Sequence, residues 1–390
     1  MQRIIVHDYA GHPFTFELSK ELSKKMMVYH IFFANDPGPK SDFNIGKNKN
    51  LKLMSVGKHI NYDKKSFFLR FFKDIIYGLE VKKKIDKLKP NFIISANCPT
   101  FAQQSIITAA NQNNAKFIMW IQDFYSIAVE QTLKKKSFFL SFFVGYLFKF
   151  FEKRQVKLSN GLIIISQDFK KTLLEWNIKT KKIFFIPNWG NLKKIKIKKL
   201  DLVFLKKLKL KKKFRVVYTG TLGLKHNPNL IINMAQKNSD IEFLISAAGS
   251  GYDDLKKINH LPKNIKLLSL QPFNVFNKVL NCADVFLAML NKEASNFSVP
   301  SKILNYLCAG KPIILSAPKE NLACKTILKA KAGKVFAPNN LKELNSFLTN
   351  LKNNKKLKLQ MGKNSRKYAE KNFDIKKITN KFEKIFKEIT

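Results

Sequence analysis

Short apolar runs alternate with amphipathic or polar stretches along nearly the whole chain. Arg3–Val6, Met27–Phe33, Leu51–Val56, Phe92–Ser95, Lys116–Trp120 and Gly161–Ser166 read as buried strands, and Ile183–Ile186 closes the first half. Helical or polar stretches separate most of them, the first helix being expected over Phe14–Lys24. That alternation is the pattern of a parallel sheet covered by helices on both faces. A second series starts at Phe214–Thr219 and continues through Ile241–Ser246, Ile265–Leu270, Asp284–Met289 and Ile313–Leu315, with Lys334–Phe336 as an edge strand. Helices are expected over Leu230–Lys237 and Asn277–Cys282, and the tail from Leu341 reads as helical and basic. The 390 residues suffice for two domains. The expected division is a domain at 1–190, a lysine-rich connection at 191–213, a second domain at 214–370, and a C-terminal helix at 371–390 packing back on the first.

The densest stretch is Ser298–Ser316, SVPSKILNYLCAGKPIILS. Pro300 suits a first helical position, and Ile303, Leu304 and Leu307 form an apolar stripe. Gly310 suits the left-handed residue that ends a helix, and Pro312 prevents continuation. Lys302 then falls in the first turn, where the helix dipole disfavours a cation. One reading is an anion site made of free N–H groups and a lysine; the other is an ordinary surface lysine.

Two glycine loops follow strands in the same half. Gly220-Thr221-Leu222-Gly223-Leu224-Lys225-His226 precedes a helix, and Ala247-Ala248-Gly249-Ser250-Gly251 follows the next strand. Neither is a Walker A motif, and the chain has no GxGxxG. Together with Pro300–Lys302, these loops supply close backbone approach, N–H donors and positive charge, which are what a diphosphate needs. In the first half, the Gly11-His12-Pro13 turn follows the first strand, where a ligand contact or a solvated loop is expected of His12. Ala96-Asn97-Cys98-Pro99-Thr100 follows a later strand. Asp123 follows the next; it either orients or deprotonates a hydroxyl, or caps a helix.

Two segments are unusually aromatic, Ser66–Leu79 and Ser137–Phe151, the second flanked by Lys134-Lys135-Lys136 and Lys153-Arg154. They fit either peripheral contact with an anionic membrane or burial against the sheet, and the combination of aromatics with basic flanks favours the membrane. The second is too short for comfortable spanning. Lys and Arg number 72 against 27 Asp and Glu, so the net charge is +45. The excess is spread along the whole chain, unlike the concentrated charge of a dedicated nucleic-acid module, and a Lys- and Asn-rich composition contributes to it. No nucleic-acid partner is expected. The four cysteines have no CxxC spacing, which argues against zinc or disulfides and for a reducing cytosol. The N-terminal apolar run is too short for a signal peptide.

With these motifs in place, nearly the whole chain resembles the GT-B-fold glycosyltransferases of family 4. The residues that carry the resemblance are DYAGHP near the N-terminus, GLIIIS at 161–166, IPNW at 186–189, YTGTLGLK at 218–225, the Gly249 loop and PSKILNYLCAGKPII at 300–314. More narrowly, the chain looks like the bacterial enzymes that add fucose or N-acetylfucosamine in surface-polysaccharide synthesis. The resemblance implies an α/β protein of two Rossmann-like, doubly wound domains facing a cleft. It implies retaining transfer from a UDP- or GDP-linked nucleotide sugar to a lipid-linked or polysaccharide acceptor, without a metal or other cofactor, on the inner face of the cytoplasmic membrane. Donor contacts carry over to Gly11, Gly220, Thr221, Lys225, Gly249, Ser301, Lys302 and Asn305. Asp123 and His12 are the candidates for orienting the acceptor. The chain departs from the family where an E-x7-E pair is usual: Asn305 replaces one acid, Phe297 stands at the other, and Glu293 is a possible substitute from another loop position. A GT-B-fold nucleotide-sugar epimerase and a non-catalytic basic protein that binds nucleic acid are the alternatives.

Overall fold

The computed structural model describes residues 1–36, 43–61, 67–134, 138–223, 225–292, 299–338 and 340–390. The chain forms two compact units. The first comprises Met1–Asn188 and Ile375–Thr390, the second Trp189–Asp374.

The first unit runs β1 (Arg3–Asp8), α1 (Pro13–Leu22), β2 (Met27–Phe33), β3 (Leu51–Val56), α2 (Phe67–Leu88), β4 (Phe92–Ala96), α3 (Thr100–Gln112), β5 (Lys116–Ile121), α4 (Tyr125–Lys134), α5 (Phe138–Leu158), β6 (Gly161–Ile164), α6 (Asp168–Glu175) and β7 (Ile183–Phe185). Its seven strands are parallel, in the order β3-β2-β1-β4-β5-β6-β7. The strands are continuous apolar runs because helices cover both faces, and Ile4, Ile5, Ile93, Ile94 and Phe117 are fully buried.

The second unit runs α7 (Leu202–Lys207), β8 (Arg215–Thr221), α8 (Pro228–Lys237), β9 (Glu242–Ala248), α9 (Ser250–Lys256), β10 (Ile265–Ser269), α10 (Phe273–Asn281), β11 (Val285–Met289), α11 (Lys302–Ala309), β12 (Ile313–Ser316), α12 (Leu322–Ala330), β13 (Gly333–Phe336), α13 (Leu341–Asn353) and α14 (Lys355–Asn372). Its six strands are parallel, in the order β10-β9-β8-β11-β12-β13. In each sheet the winding reverses between the first and fourth strands, β1 and β4 or β8 and β11. Ligands of open α/β sheets bind outside the carboxyl ends of the strands at such a reversal.

The last helix, α15 (Ile375–Ile389), belongs to the first unit. Its buried residues Ile375, Ile378, Phe382, Ile385 and Phe386 recur at helical spacing. Phe382 meets Trp120 at 5.1 Å and Phe386 meets Phe92 at 4.8 Å, while Glu383 pairs with Lys25 at 2.8 Å.

Three details depart from the expectations. The stretch at 191–213 is not a free connection but a packed part of the second unit: Ile195, Phe204 and Leu205 are buried. The backbone N–H groups of Lys196 and Lys198 donate to the Asn277 and Asn281 side chains of α10 at 3.2 and 2.8 Å. Nearly all of its lysines are exposed while Ile195, Phe204 and Leu205 fill the unit, so lysine content alone misleads. Next, β8 continues through Gly220 and Thr221 because both pair with β9, at Ala247 and Ala248. Finally, α11 starts at Lys302 and not at Pro300. The preceding turn is tighter, with Ile303 N–H donating to the Pro300 carbonyl at 3.2 Å and Leu304 N–H to that of Ser301 at 3.1 Å. Gly310 does end the helix in the left-handed conformation, with φ of 68°.

Candidate active site

In the first unit the reversal between β1 and β4 is occupied by a polar cluster. Asp8, the last residue of β1, is fully buried, and its carboxylate gathers the turn that follows. It accepts from the His12 backbone N–H at 2.7 Å, the Thr15 hydroxyl at 2.7 Å and the Asn97 amide, which follows β4, at 3.0 Å. His12 Nδ1 lies 3.1 Å from the same carboxylate. Gly11 makes the turn possible with φ of 69°. Burial opposes the Asp8 charge, but the charge and hydrogen bonds of His12, with Thr15, outweigh it and hold Asp8 well below the usual carboxylate range. Burial likewise opposes a proton on His12, and the Asp8 charge and hydrogen bond outweigh it, with Asp36 and Asp123 adding to the rise. The His12 side chain is 24% exposed and that of Asp8 is not, so His12 is the member of the pair that a ligand reaches.

Asp123 is half-buried and close enough to His12 to raise its pKa. The N–H groups of Tyr125 and Ser126 at the start of α4 donate to Glu152 of α5, at 2.9 and 3.0 Å. Burial lifts Glu152 to about 7 in spite of these bonds. His12 and Asp123 thus lie near one another, and Asp8 and Asn97 complete a group that the pattern of residues did not reveal.

In the second unit the three loops converge at the reversal between β8 and β11. The ladder between these strands ends at the pair Phe286–Val217, and beyond it they diverge. Tyr306 of α11 fills the gap. Its ring stacks on Phe286 at 4.0 Å, its hydroxyl accepts from the Thr219 N–H at 2.8 Å, and it donates to the Leu287 carbonyl at 3.4 Å. Anchored this way, α11 carries Lys302 over the end of β8. The Lys302 ammonium donates to the Thr221 carbonyl at 3.1 Å and lies 3.6 Å from the centre of the Tyr218 ring. Among the described residues no carboxylate pairs with it, and burial lowers its pKa well below the usual lysine range. Gly220, with φ of 93°, leaves open space beneath: a Cβ there would meet nothing nearer than Lys302 Cε at 3.8 Å.

The Gly249 loop interlocks with the Gly220 loop. Leu222 N–H donates to the Ala248 carbonyl at 2.9 Å, and Tyr252 N–H to the Leu222 carbonyl at 3.2 Å. Gly249 has φ of 112°, and a Cβ there would lie 2.9 Å from the Leu222 carbonyl oxygen, so both conformation and space require glycine. Lys225 is exposed, and its carbonyl accepts from the N–H of Asn291, just beyond β11, at 2.9 Å. Burial and the charges of Lys302 and Lys225 push His226 down to about 4, opposed by its Gly223 hydrogen bond, so the ring is neutral at pH 7. Ser301 is exposed at the start of α11 and its side chain makes no capping bond; Asn305 is half-buried one turn on. Glu293 and Phe297 lie outside the described residues. Gly220, Thr221, Lys225, Gly249 and Lys302 therefore form one group in the second unit, while Gly11 belongs to the first.

Residues 203–368 match the family described as glycosyl transferases group 1. The match falls on the second unit, which holds the three loops. A glycosyl transferase of Escherichia coli K12 named WcaI, provisionally assigned to colanic acid biosynthesis, is 23% identical over 243 residues, 59% of this chain. The aligned part spans 58% of that relative's length. Among solved structures, sucrose-phosphate synthase from Thermosynechococcus elongatus superposes with a TM-score of 0.78 at 13% identity, covering 100% of this chain and 99% of that one. The Anabaena protein Alr3699/HepE, solved with UDP-glucose, gives 0.71 at 14%, covering 98% and 99%. The chain has the GT-B α/β fold.

Proposed function

We propose that this protein is a retaining group 1 glycosyltransferase. It moves a sugar from a nucleoside diphosphate to a hydroxyl of a lipid-linked or polysaccharide acceptor. The observation that carries the reading is the cationic loop cluster in the second unit: Lys302 poised on the Thr221 carbonyl over an open glycine, with Lys225 in the neighbouring turn. HepE, which shares the fold, is solved with UDP-glucose, which supports a nucleotide sugar as donor. In the reaction the bond from the anomeric carbon to the diphosphate breaks and a bond to the acceptor oxygen forms on the same face. Lys302 and Lys225 stabilise the charge gathering on the departing diphosphate. The departing phosphate oxygen takes the acceptor proton, so no strong protein base and no metal are needed. His12 and Asp123 orient the acceptor, and Asn305 hydrogen-bonds the donor ribose in place of an acid. Turnover of a panel of UDP- and GDP-sugars with cell membranes as acceptor source tests this. Transfer of one sugar with its anomeric configuration kept is expected; UDP binding without any transfer would leave a nucleotide-binding protein and remove the enzyme.

The two aromatic segments support membrane attachment of the acceptor side. Their inner faces are buried: Phe101 of α3 touches Phe71 of α2 at 4.4 Å and Phe148 of α5 at 5.1 Å. Their outer faces are not. Phe72, Ile76 and Leu79 on α2, and Phe142, Phe143, Tyr146 and Phe150 on α5, are 45–70% exposed. Lys149 and Arg154 are exposed on the same helix, α5. Among the described residues no helix is long and apolar enough to cross a membrane. An interfacial seat on anionic lipid suits aromatic residues edged by cations. Replacing Phe142, Phe143 and Tyr146 by serine is expected to lower partition onto vesicles of phosphatidylglycerol at least roughly tenfold, given the apolar area withdrawn from lipid. Unchanged sedimentation with the vesicles would exclude this face.

A further inference from the structure

The carboxyl ends of the second sheet do not hold all of that unit's concave basic surface. At the opposite end, where β11 and β12 begin, lies a cavity of about 750 Å³. One wall is α14; the other is the turn from α11 into β12. Six cations line it: Lys311, Lys355, Lys358, Lys363, Arg366 and Lys367. Among the described residues only two carboxylates do, and both are engaged. Asp284 pairs with Lys358 at 2.6 Å, and Glu370 with Arg366 at 2.7 Å. Arg366 also donates to the carbonyls of Ile195 and Cys308, at 3.1 and 2.8 Å, so it serves as part of the frame. Lys355, Lys363 and Lys367 have no acid partner among the described residues.

The shape is built and not incidental. A Cβ on Gly362 of α14 would lie 2.6 Å from the Gly310 carbonyl oxygen, and one on Gly310 would lie 2.7 Å from Ile197 Cδ1. Gly362 thus lets the helix backbone press against the turn, and cations from both walls rim one hollow. Lys355, Lys363 and Lys367 share a face of α14, spread over roughly 18 Å at 1.5 Å per residue. The floor contains Leu359 and Ile197, which are 54% and 52% exposed. Burial, partly offset by Asp284 and reinforced by Lys358, lowers the pKa of Lys311.

We infer that this cavity is a second anion site, separate from the donor loops, for a small ligand carrying two or more phosphate groups. The volume is that of a site for a nucleotide-sized molecule. A single phosphate spans too little of the row of lysines, and the apolar floor accepts a ring or chain between the charges. The ligand is either a free phosphorylated metabolite or the headgroup of a phosphorylated lipid, since both present the same chemistry.

Titration of the full-length protein with inorganic tripolyphosphate, followed by calorimetry, tests the site. The triple variant Lys355→Gln, Lys363→Gln, Lys367→Gln changes exposed side chains only. It is compared with Lys83→Gln, Lys84→Gln, Lys87→Gln on α2, which removes the same charge from exposed positions of the first unit. Both are made in the Lys225→Ala, Lys302→Ala background, so that binding at the donor loops does not contribute. Affinity is expected to fall roughly tenfold or more in the first triple variant and to change little in the second. Equal losses in the two variants, or no binding in the parent background, would overturn the site. Sedimentation with cardiolipin vesicles separates the sources: a loss confined to the first triple variant identifies a lipid headgroup, while unchanged partition with lost tripolyphosphate binding identifies a free ligand.

Discussion

Replacing Lys302 by alanine is expected to lower kcat by roughly 10²–10³-fold, the usual consequence of removing one preorganised group that faces developing negative charge. The argument rests on position. Lys302 is held by a carbonyl and an aromatic face, with no carboxylate among the described residues to neutralise it. A diphosphate supplies the missing counter-charge, and it does so more strongly as the sugar leaves. The fold is expected to survive, because Tyr306 and not Lys302 anchors α11 to the two strands. UDP binding weakens in Lys302→Ala and further in the double variant with Lys225→Ala. Calorimetric binding that is unchanged in the double variant, with an unchanged melting temperature, would remove the diphosphate from these loops.

His12→Ala is expected to cost roughly 10²-fold in kcat/KM, the scale for losing a group that orients the acceptor hydroxyl. UDP affinity is expected to stay as it was, because the donor loops belong to the other unit. Asp8→Asn gives the more diagnostic result. Asp8 holds the His12 proton, so His12 titrates above its ordinary value and the neutral ring, which accepts from the acceptor hydroxyl, appears only as pH rises through that point. Without the Asp8 charge the His12 pKa falls, and the acid limb of the pH–rate profile moves to lower pH. Asparagine retains an acceptor for the His12 and Thr15 donors but turns its own amide N–H groups toward the Asn97 amide, so the turn is kept at a cost of roughly 1–3 kcal/mol. The ion pair has its own pH window. The His12 contribution to stability is complete below the ordinary histidine pKa and is lost as pH rises through the raised value. The Asp8 contribution is lost as pH falls through its depressed one. A pH profile that does not move in Asp8→Asn would show that Asp8 only shapes the turn.

Both sheets were legible in the sequence because apolar runs record burial directly. Met27–Phe33 and Leu51–Val56 coincide with β2 and β3, and Lys334–Phe336 falls on the edge strand β13. The Gly249 and Gly310 positions were legible for the same local reason, since few residues other than glycine accept their backbone angles. What escaped was set by distance along the chain. Asp8 looks like the polar end of a strand until Asn97, 89 residues later, donates to it. Glu152 looks like one charge on an aromatic helix, yet it caps α4 from 26 residues away. Tyr306 sits beside the apolar stripe of Ile303 and Leu307 and reads as core; it is core, but its hydroxyl takes the backbone donor left where β8 and β11 part. Leu304, counted in the stripe, is only half-buried. Periodicity reports which face is covered and is silent about which polar atoms meet across a sheet.

The helix Ile375–Ile389 has a consequence for how the protein is made. The second unit is continuous in sequence, from Trp189 to Asp374, so all of its strands have been synthesised before that helix emerges from the ribosome. The first unit begins earlier and finishes later. Until Phe382 and Phe386 are translated, Trp120 and Phe92 lack their cover. The nascent first unit must therefore wait, with part of its apolar surface open, while an entire second unit is made. A stop codon before Phe382 strips cover from Trp120 and Phe92 in the first unit and leaves the second unit whole.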